Sequence, residues 1–118
     1  YVRRNDSAVQ LISDPRYRFR VGVAVPLQHP GEDGLPGPEE LEVLGKIEDG
    51  LARELESELL SLQVLSISTG GMREFVFYAR DPQRVKEVLL KIRAGFPPYQ
   101  IQFYISHDKN WDLFKHYL

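Results

Sequence analysis

Gln63-Val64-Leu65-Ser66-Ile67-Ser68-Thr69-Gly70-Gly71-Met72-Arg73-Glu74-Phe75-Val76-Phe77-Tyr78-Ala79-Arg80 is the stretch that decides the fold. Two runs rich in β-branched and aromatic residues, 63–69 and 73–80, flank paired glycines, which supply the positive φ of a tight hairpin turn. On either side of this hairpin the hydrophobic period changes. Upstream, Leu41, Leu44, Leu51, Leu55 and Leu59 form one stripe of a helix of about five or six turns. Pro38 suits its first turn, and Glu39 and Glu40 complement its dipole. Gly45 and Gly50 inside it each cost about 1 kcal/mol relative to alanine, a cost that close packing or a bend would explain. Downstream, Asp81 is a good N-cap and Pro82 a good first residue. Val85, Val88, Leu89 and Ile92 make a second stripe, closed by Gly95 and Pro97.

Further out lie two more period-2 runs. Residues 16–27 set Tyr17, Phe19, Val21, Val23 and Val25 against Arg16, Arg18, Arg20, Gly22 and Ala24, and residues 99–106 place Ile101, Phe103 and Ile105 on one side. The order strand, helix, strand, strand, helix, strand predicts an α+β, ferredoxin-like βαββαβ two-layer sandwich. Its sheet is four-stranded and antiparallel, with two helices on one face. Trp111, Phe114 and Tyr117 or Leu118, at helical spacing, add a short C-terminal helix docked on the core. Gln28 to Gly37, with three glycines and two prolines, is a loop. Residues 1–15 have no clear period beyond a short element at Val9, Leu11 and Ile12. They read as an N-terminal arm or linker ahead of a single domain, 16–118. A fold of this kind hosts enzymes, RNA binders and interaction modules alike, so function must be argued from sites.

Composition narrows the choice. A chain of 118 residues has room for one domain and one core. With 15 basic and 17 acidic residues it lacks the basic excess of a dedicated phosphate-backbone binder. The absence of cysteine removes disulfides, thiolate metal sites and thiol nucleophiles together, and fits a cytoplasmic chain. No apolar run approaches the ~20 residues of a membrane span, and no signal peptide is visible. The chain starts at Tyr1 and not at Met, which leaves a targeting segment or second domain upstream open.

Gly34-x-Pro36 before the first helix, Ile47-Glu48-Asp49 within it, Thr69-Gly70-Gly71-x-Arg73-Glu74-Phe75-x-Phe77-Tyr78 in the hairpin and Asp108-x-x-Trp111 near the end carry a resemblance. Over residues 17–117 the chain resembles a bacterial domain family of unknown function, six-ninety-five of that series. Phe114 stands where the family pattern has a tyrosine. Some members sit beside a domain similar to the regulator B of ribonuclease E, which implies regulation through protein contact. The resemblance carries no activity and no catalytic residue.

Three constellations compete for a role. On the sheet face away from the helices the phases place Arg18, Arg20, Gly22 and Ala24; Val64, Ser66 and Ser68; Glu74, Val76 and Tyr78; and Gln100, Gln102 and Tyr104. Arg18, Arg20, Glu74, Tyr78, Gln102 and Tyr104 are the candidate binding surface, suited to a protein partner or a second copy. A solvated face partly covered by the N-terminal arm is the equal alternative. The second constellation, Phe75-Val76-Phe77-Tyr78, matches the tail of the RNA-recognition-motif signature, but Gly71, Met72, Arg73 and Glu74 break its head, so nucleic acid ranks below protein. The third is Glu48, which falls in the leucine stripe, where a buried carboxylate needs a partner. Arg73, in phase with Phe75 and Phe77, is the candidate for a buried polar pair. His29, His107 and His116, with Asp108 and Asp112, show no metal-ligand spacing, and His107-Asp108 reads as a helix start with Asp as N-cap. No catalytic residue, metal or cofactor is assigned. The expected role is a non-catalytic regulatory or protein-interaction module. A single-stranded RNA binder is the alternative, and a small enzyme using Glu48 or the histidine–aspartate cluster comes third.

Overall fold

The structure, a computed structural model, describes residues 1–118 apart from the side chain of Glu58. Strand β1 (Val2–Arg4) and a 3-10 turn (Asp6–Leu11) precede β2 (Phe19–Pro26) and α1 (Pro38–Leu55). A second 3-10 turn (Ser57–Leu59) leads into the hairpin of β3 (Ser61–Thr69) and β4 (Met72–Ala79). Then come α2 (Pro82–Gly95), β5 (Gln102–His107) and α3 (Asp112–His116). The strands form one sheet in the order β1-β3-β4-β2-β5, with every neighbouring pair antiparallel. The fold is α+β, as the sequence predicts, but the sheet has five strands and not four. The extra strand comes from the segment expected to be an arm or linker: Val2, Arg3 and Arg4 pair with Ile67, Ser66 and Leu65. Three residues are too few for a period to register.

The helical face holds the main core. Val21, Val23, Val25, Phe75, Phe77 and Ala79 from the sheet meet Leu44, Ile47, Leu51 and Leu55 of α1 and Val85, Val88, Leu89 and Ile92 of α2. Asp81 caps α2 as expected, accepting from the N–H groups of Gln83 (3.1 Å) and Arg84 (3.2 Å). The stripe of α1 is narrower than predicted. Leu41 is 46% exposed, and Leu59 falls in the 3-10 turn beyond the helix, 57% exposed. Gly50 has a packing reason, since a Cβ there would already touch Ile92 Cδ1 at 3.4 Å.

The opposite face is where expectation and structure part. It carries a second core of Ala8, Tyr17, Val64, Leu65, Val76, Tyr78, Trp111 and Phe114, flanked by Leu11, Ile12 and Leu113. The N-terminal 3-10 turn and α3 fold over this face and bury it. Strand β3 also departs from its predicted phase. Its register slips between Gln63 and Leu65, so Leu65 and Ile67 pair with Val76 and Glu74, while Ser66 and Ser68 pair with Phe75 and Arg73. A bulge of one residue moves every later side chain to the other face, so Ser66 and Ser68 look toward the helices.

Candidate functional site

The predicted binding surface splits in two. Tyr78 is fully buried, not displayed. Its ring stacks on Trp111 with centroids 4.2 Å apart and planes 6° from parallel, and its hydroxyl donates to Asp108 Oδ2 at 2.7 Å. The correction has a simple cause. The helical face is filled by α1 and α2, and Trp111 and Phe114 cover the apolar outer face around Val76 and Tyr78. Arg20, beside Tyr78 on β2, reaches Asp108 Oδ2 at 3.3 Å. Arg18 stands exposed at the rim and donates from Nε to the Pro15 carbonyl at 2.9 Å. Gln102 and Tyr104 remain exposed and Glu74 half-buried, and these three keep their predicted place on the uncovered half of the face.

Asp108 is the hub that closes the second core. Beyond Tyr78 and Arg20 it accepts from the backbone N–H of Asp112 (2.9 Å) and of Leu113 (3.4 Å). It therefore serves the first turn of α3 from outside the helix. Trp111, the nominal cap residue, sits in the left-handed region at φ 58°, and its indole N–H donates to the Tyr17 carbonyl at 2.8 Å. Burial pushes the Asp108 carboxyl up. The bonds from Tyr78 and the two amides, with the charge of Arg20, outweigh this and hold it below its ordinary value. The same burial and the carboxylate beside it drive the Tyr78 hydroxyl well up.

Glu48 is paired, but not with Arg73. Its carboxylate takes Arg3 from β1 in an ion pair and the Gln63 amide at 2.7 Å. Arg3 could not be foreseen as the partner, because β1 was not expected to join the sheet. The pair is open to water, Arg3 at 54% and Glu48 at 18% exposure, so it contributes little to stability. Glu48→Ala is expected to lower stability by only about 0.5–1 kcal/mol. In a double-mutant cycle read by urea unfolding, the coupling should appear with Arg3 and be near zero with Arg73. Strong coupling to Arg73 would reinstate the buried pair.

One tie escaped the sequence reading. Glu40, in the first turn of α1, does more than complement the helix dipole: it is 6% exposed. It accepts from the N–H of Gln28 (2.7 Å), the N–H of His29 (3.1 Å) and the hydroxyl of Tyr99 (2.8 Å). A cleft of about 500 Å³ opens beside it, lined by Gln28, His29, Pro38, Val43 and Tyr99. Burial pushes Glu40 up, but the three donors overcome this and hold it below its ordinary value. Burial and the ionised Glu40 push Tyr99 up to about 12. The sign is that of a folded pKa raised above the unfolded value of 10. The stabilisation is whole below pH 10 and is lost as pH climbs from about 10 to about 12. Alkaline denaturation followed at 295 nm should show Tyr99→Phe abolishing that part of the loss, and an unchanged alkaline limb would refute the assignment.

The glycine-rich segments meet one another. The loop 28–37 folds onto the hairpin turn: Gly71 N–H donates to Gly34 carbonyl at 3.0 Å, and Leu27 N–H to Gly71 carbonyl at 2.8 Å. Gly34 has φ 76°, which favours glycine, and a Cβ there would stand 3.2 Å from Gly71 N, a tight fit against backbone. The Gly34-x-Pro36 and Thr69-Gly70-Gly71 motifs are thus two halves of one clasp, and the Asp108-x-x-Trp111 motif closes the second core. Residues 1–118 match the model of a family of unknown function, DUF695. The chain belongs to that family. The match includes the first fifteen residues, in keeping with the place of β1 and the N-terminal turn in this DUF695 fold. No curated protein matches the chain.

The remaining candidates find no chemistry together. Phe75 and Phe77 lie in the main core, and Val76 and Tyr78 in the second, so none of the four offers a platform for stacking a base. His107 packs edge-on against Phe19 and His116 against Tyr117. Among the described residues no three His, Asp or Glu gather at metal-binding range, and no helix is long and apolar enough to cross a membrane.

Proposed function

We propose that this domain is a non-catalytic, cytoplasmic regulatory or protein-interaction module, an elaborated ferredoxin-like fold that pairs with a second copy of itself. The observation that carries this reading is the row Arg20–Tyr104–Glu74 on the uncovered half of the outer face. Tyr104 lies flat over Gly22, where any Cβ would overlap its ring, yet it is 39% exposed. The Arg20 guanidinium stands 5.5 Å from the ring centroid on one side, and the Tyr104 hydroxyl donates to Glu74 at 3.4 Å on the other. A large aromatic flanked by one cation and one anion on a rigid sheet is self-complementary. A copy turned about a two-fold axis sets Tyr104 against Tyr104 and Arg20 against Glu74.

Sedimentation velocity over a wide concentration range tests this. A monomer–dimer equilibrium is expected, lost in Tyr104→Ala. It should also be lost in Gly22→Ala, which displaces the ring without changing charge, and weakened in Glu74→Arg. Tyr104→Ala and Glu74→Arg, at positions at least partly open to water, should keep their unfolding free energy to within about 1 kcal/mol, as surface changes do. A monomer at every concentration rules out the second copy.

A further inference from the structure

The cleft beside Glu40 offers hydrogen-bond acceptors over an apolar wall. Its volume of about 500 Å³ lies in the range of small-ligand sites. The lining runs from Gln28, His29 and Glu39, all exposed, to Glu40 and Tyr99, 6% and 8% exposed. Pro38 and Val43 supply the apolar part. A carboxylate can accept about four hydrogen bonds, and Glu40 has three. Its Oε2 takes the Gln28 N–H and the Tyr99 hydroxyl, whereas Oε1 takes only the His29 N–H. One place on Oε1 is therefore open. The Tyr99 hydroxyl gives its proton to Glu40 and is left as an acceptor.

The charge around the cleft has one sign. Glu39 and Glu40 line it, and His29 is the sole basic residue of the lining. The three donors keep Glu40 a carboxylate at neutral pH. The loop 28–37 adds Glu32 and Asp33, and residues 96–101 carry no charge. The positive end of the α1 dipole, about half a charge, is outweighed by the two carboxylates set on it. The first cation along α1 is Lys46, two turns and about 10 Å beyond Glu39, with Glu42 between them. Near the end of α2, Lys91 is paired with Glu54 at 3.5 Å, and Arg93 stands over the Phe103 ring at 5.2 Å.

We propose that this cleft binds a small primary alkylammonium ion. The ammonium donates to Glu40 Oε1 and to the Tyr99 hydroxyl oxygen, Glu39 adds charge at the mouth, and the alkyl chain lies against Pro38 and Val43. A bare metal ion would leave the apolar wall unused, and a quaternary ammonium has no N–H to donate. The cleft shares no residue with the Tyr104 face, so the two readings stand or fall separately.

The test titrates pentylammonium chloride into the whole chain at pH 7, where the amine is charged, against sodium chloride at equal ionic strength. Backbone amide resonances are the readout. Saturable shifts are expected at Gln28, His29 and Val43, because the first two amides share the Glu40 carboxylate with the ligand. Pentanol has the chain without the charge, and tetramethylammonium the charge without the N–H. Each should bind at least about tenfold more weakly than pentylammonium. Glu40→Gln should abolish the shifts. Glu39→Lys, at an exposed position, should weaken binding about tenfold while the chain stays folded, and it keeps the test decisive if Glu40→Gln does not fold. Equal binding of pentanol or tetramethylammonium, shifts centred elsewhere, or unchanged binding in Glu39→Lys would each overturn the proposal. Tighter binding of a lysine-containing peptide than of pentylammonium would overturn the free amine as occupant.

Discussion

Trp111→Ala is expected to produce a large loss of stability, about 3–5 kcal/mol. The ring is fully buried, stacks on Tyr78, meets Phe114 edge-on at 5.9 Å and satisfies the Tyr17 carbonyl. Removing it empties the centre of the second core and strands a buried acceptor. A domain of this size is stable by only about 5–15 kcal/mol, so the variant should be marginal at room temperature. Trp111 is the sole tryptophan, so unfolding must be followed by far-ultraviolet circular dichroism. Because Trp111 has φ 58°, Trp111→Gly should cost no more than Trp111→Ala. The relief of a left-handed Cβ, about 1 kcal/mol, offsets the greater chain entropy of glycine. A loss below about 1 kcal/mol would mean that α3 is a loosely laid cover and that Tyr78 is available at the outer face after all.

Asp108→Ala should rank second, at about 3 kcal/mol, since removing one member of a largely buried charged pair leaves the others unsatisfied. Arg20, the Tyr78 hydroxyl and two amides of α3 all lose their acceptor at once. Asp108→Asn keeps the shape and should cost less. The same carboxylate predicts the acid limb of stability. Asp108 and Glu40 are both held below their ordinary values of 3.8 and 4.5 in the folded state. A depressed folded pKa gives stability that is present above the unfolded value and is lost as pH falls through the folded one. Urea midpoints should therefore be flat above about pH 5 and decline below about pH 4.5. Asp108→Asn should remove the lower part of the decline. A midpoint that falls between pH 7 and pH 5 would point to a titrating group other than these two.

Much of this protein was legible in one dimension. Wherever an element was long enough to repeat its period, the residues announced it: the alternation around Val21, Val23 and Val25, the stripe of Val85, Val88, Leu89 and Ile92, the Asp81 cap and the Gly70-Gly71 turn. Tyr104, Gln102 and Glu74 stay on the outer face because β2, β4 and β5 keep strict alternation, and alternation alone dictates sides. Tertiary structure decided the rest. One bulged residue near Val64 reversed the faces of Ser66 and Ser68, and no local preference marks where a ladder slips. Three residues, Val2 to Arg4, became a strand because β3 had a free edge, and they took Glu48 away from Arg73. The outer face around Tyr78 became a core because Trp111 and Phe114 fold over it from a distant part of the chain. Each of these outcomes depends on which distant segments compete for the same surface. That competition exists only once the chain is folded, so local sequence carries no trace of it.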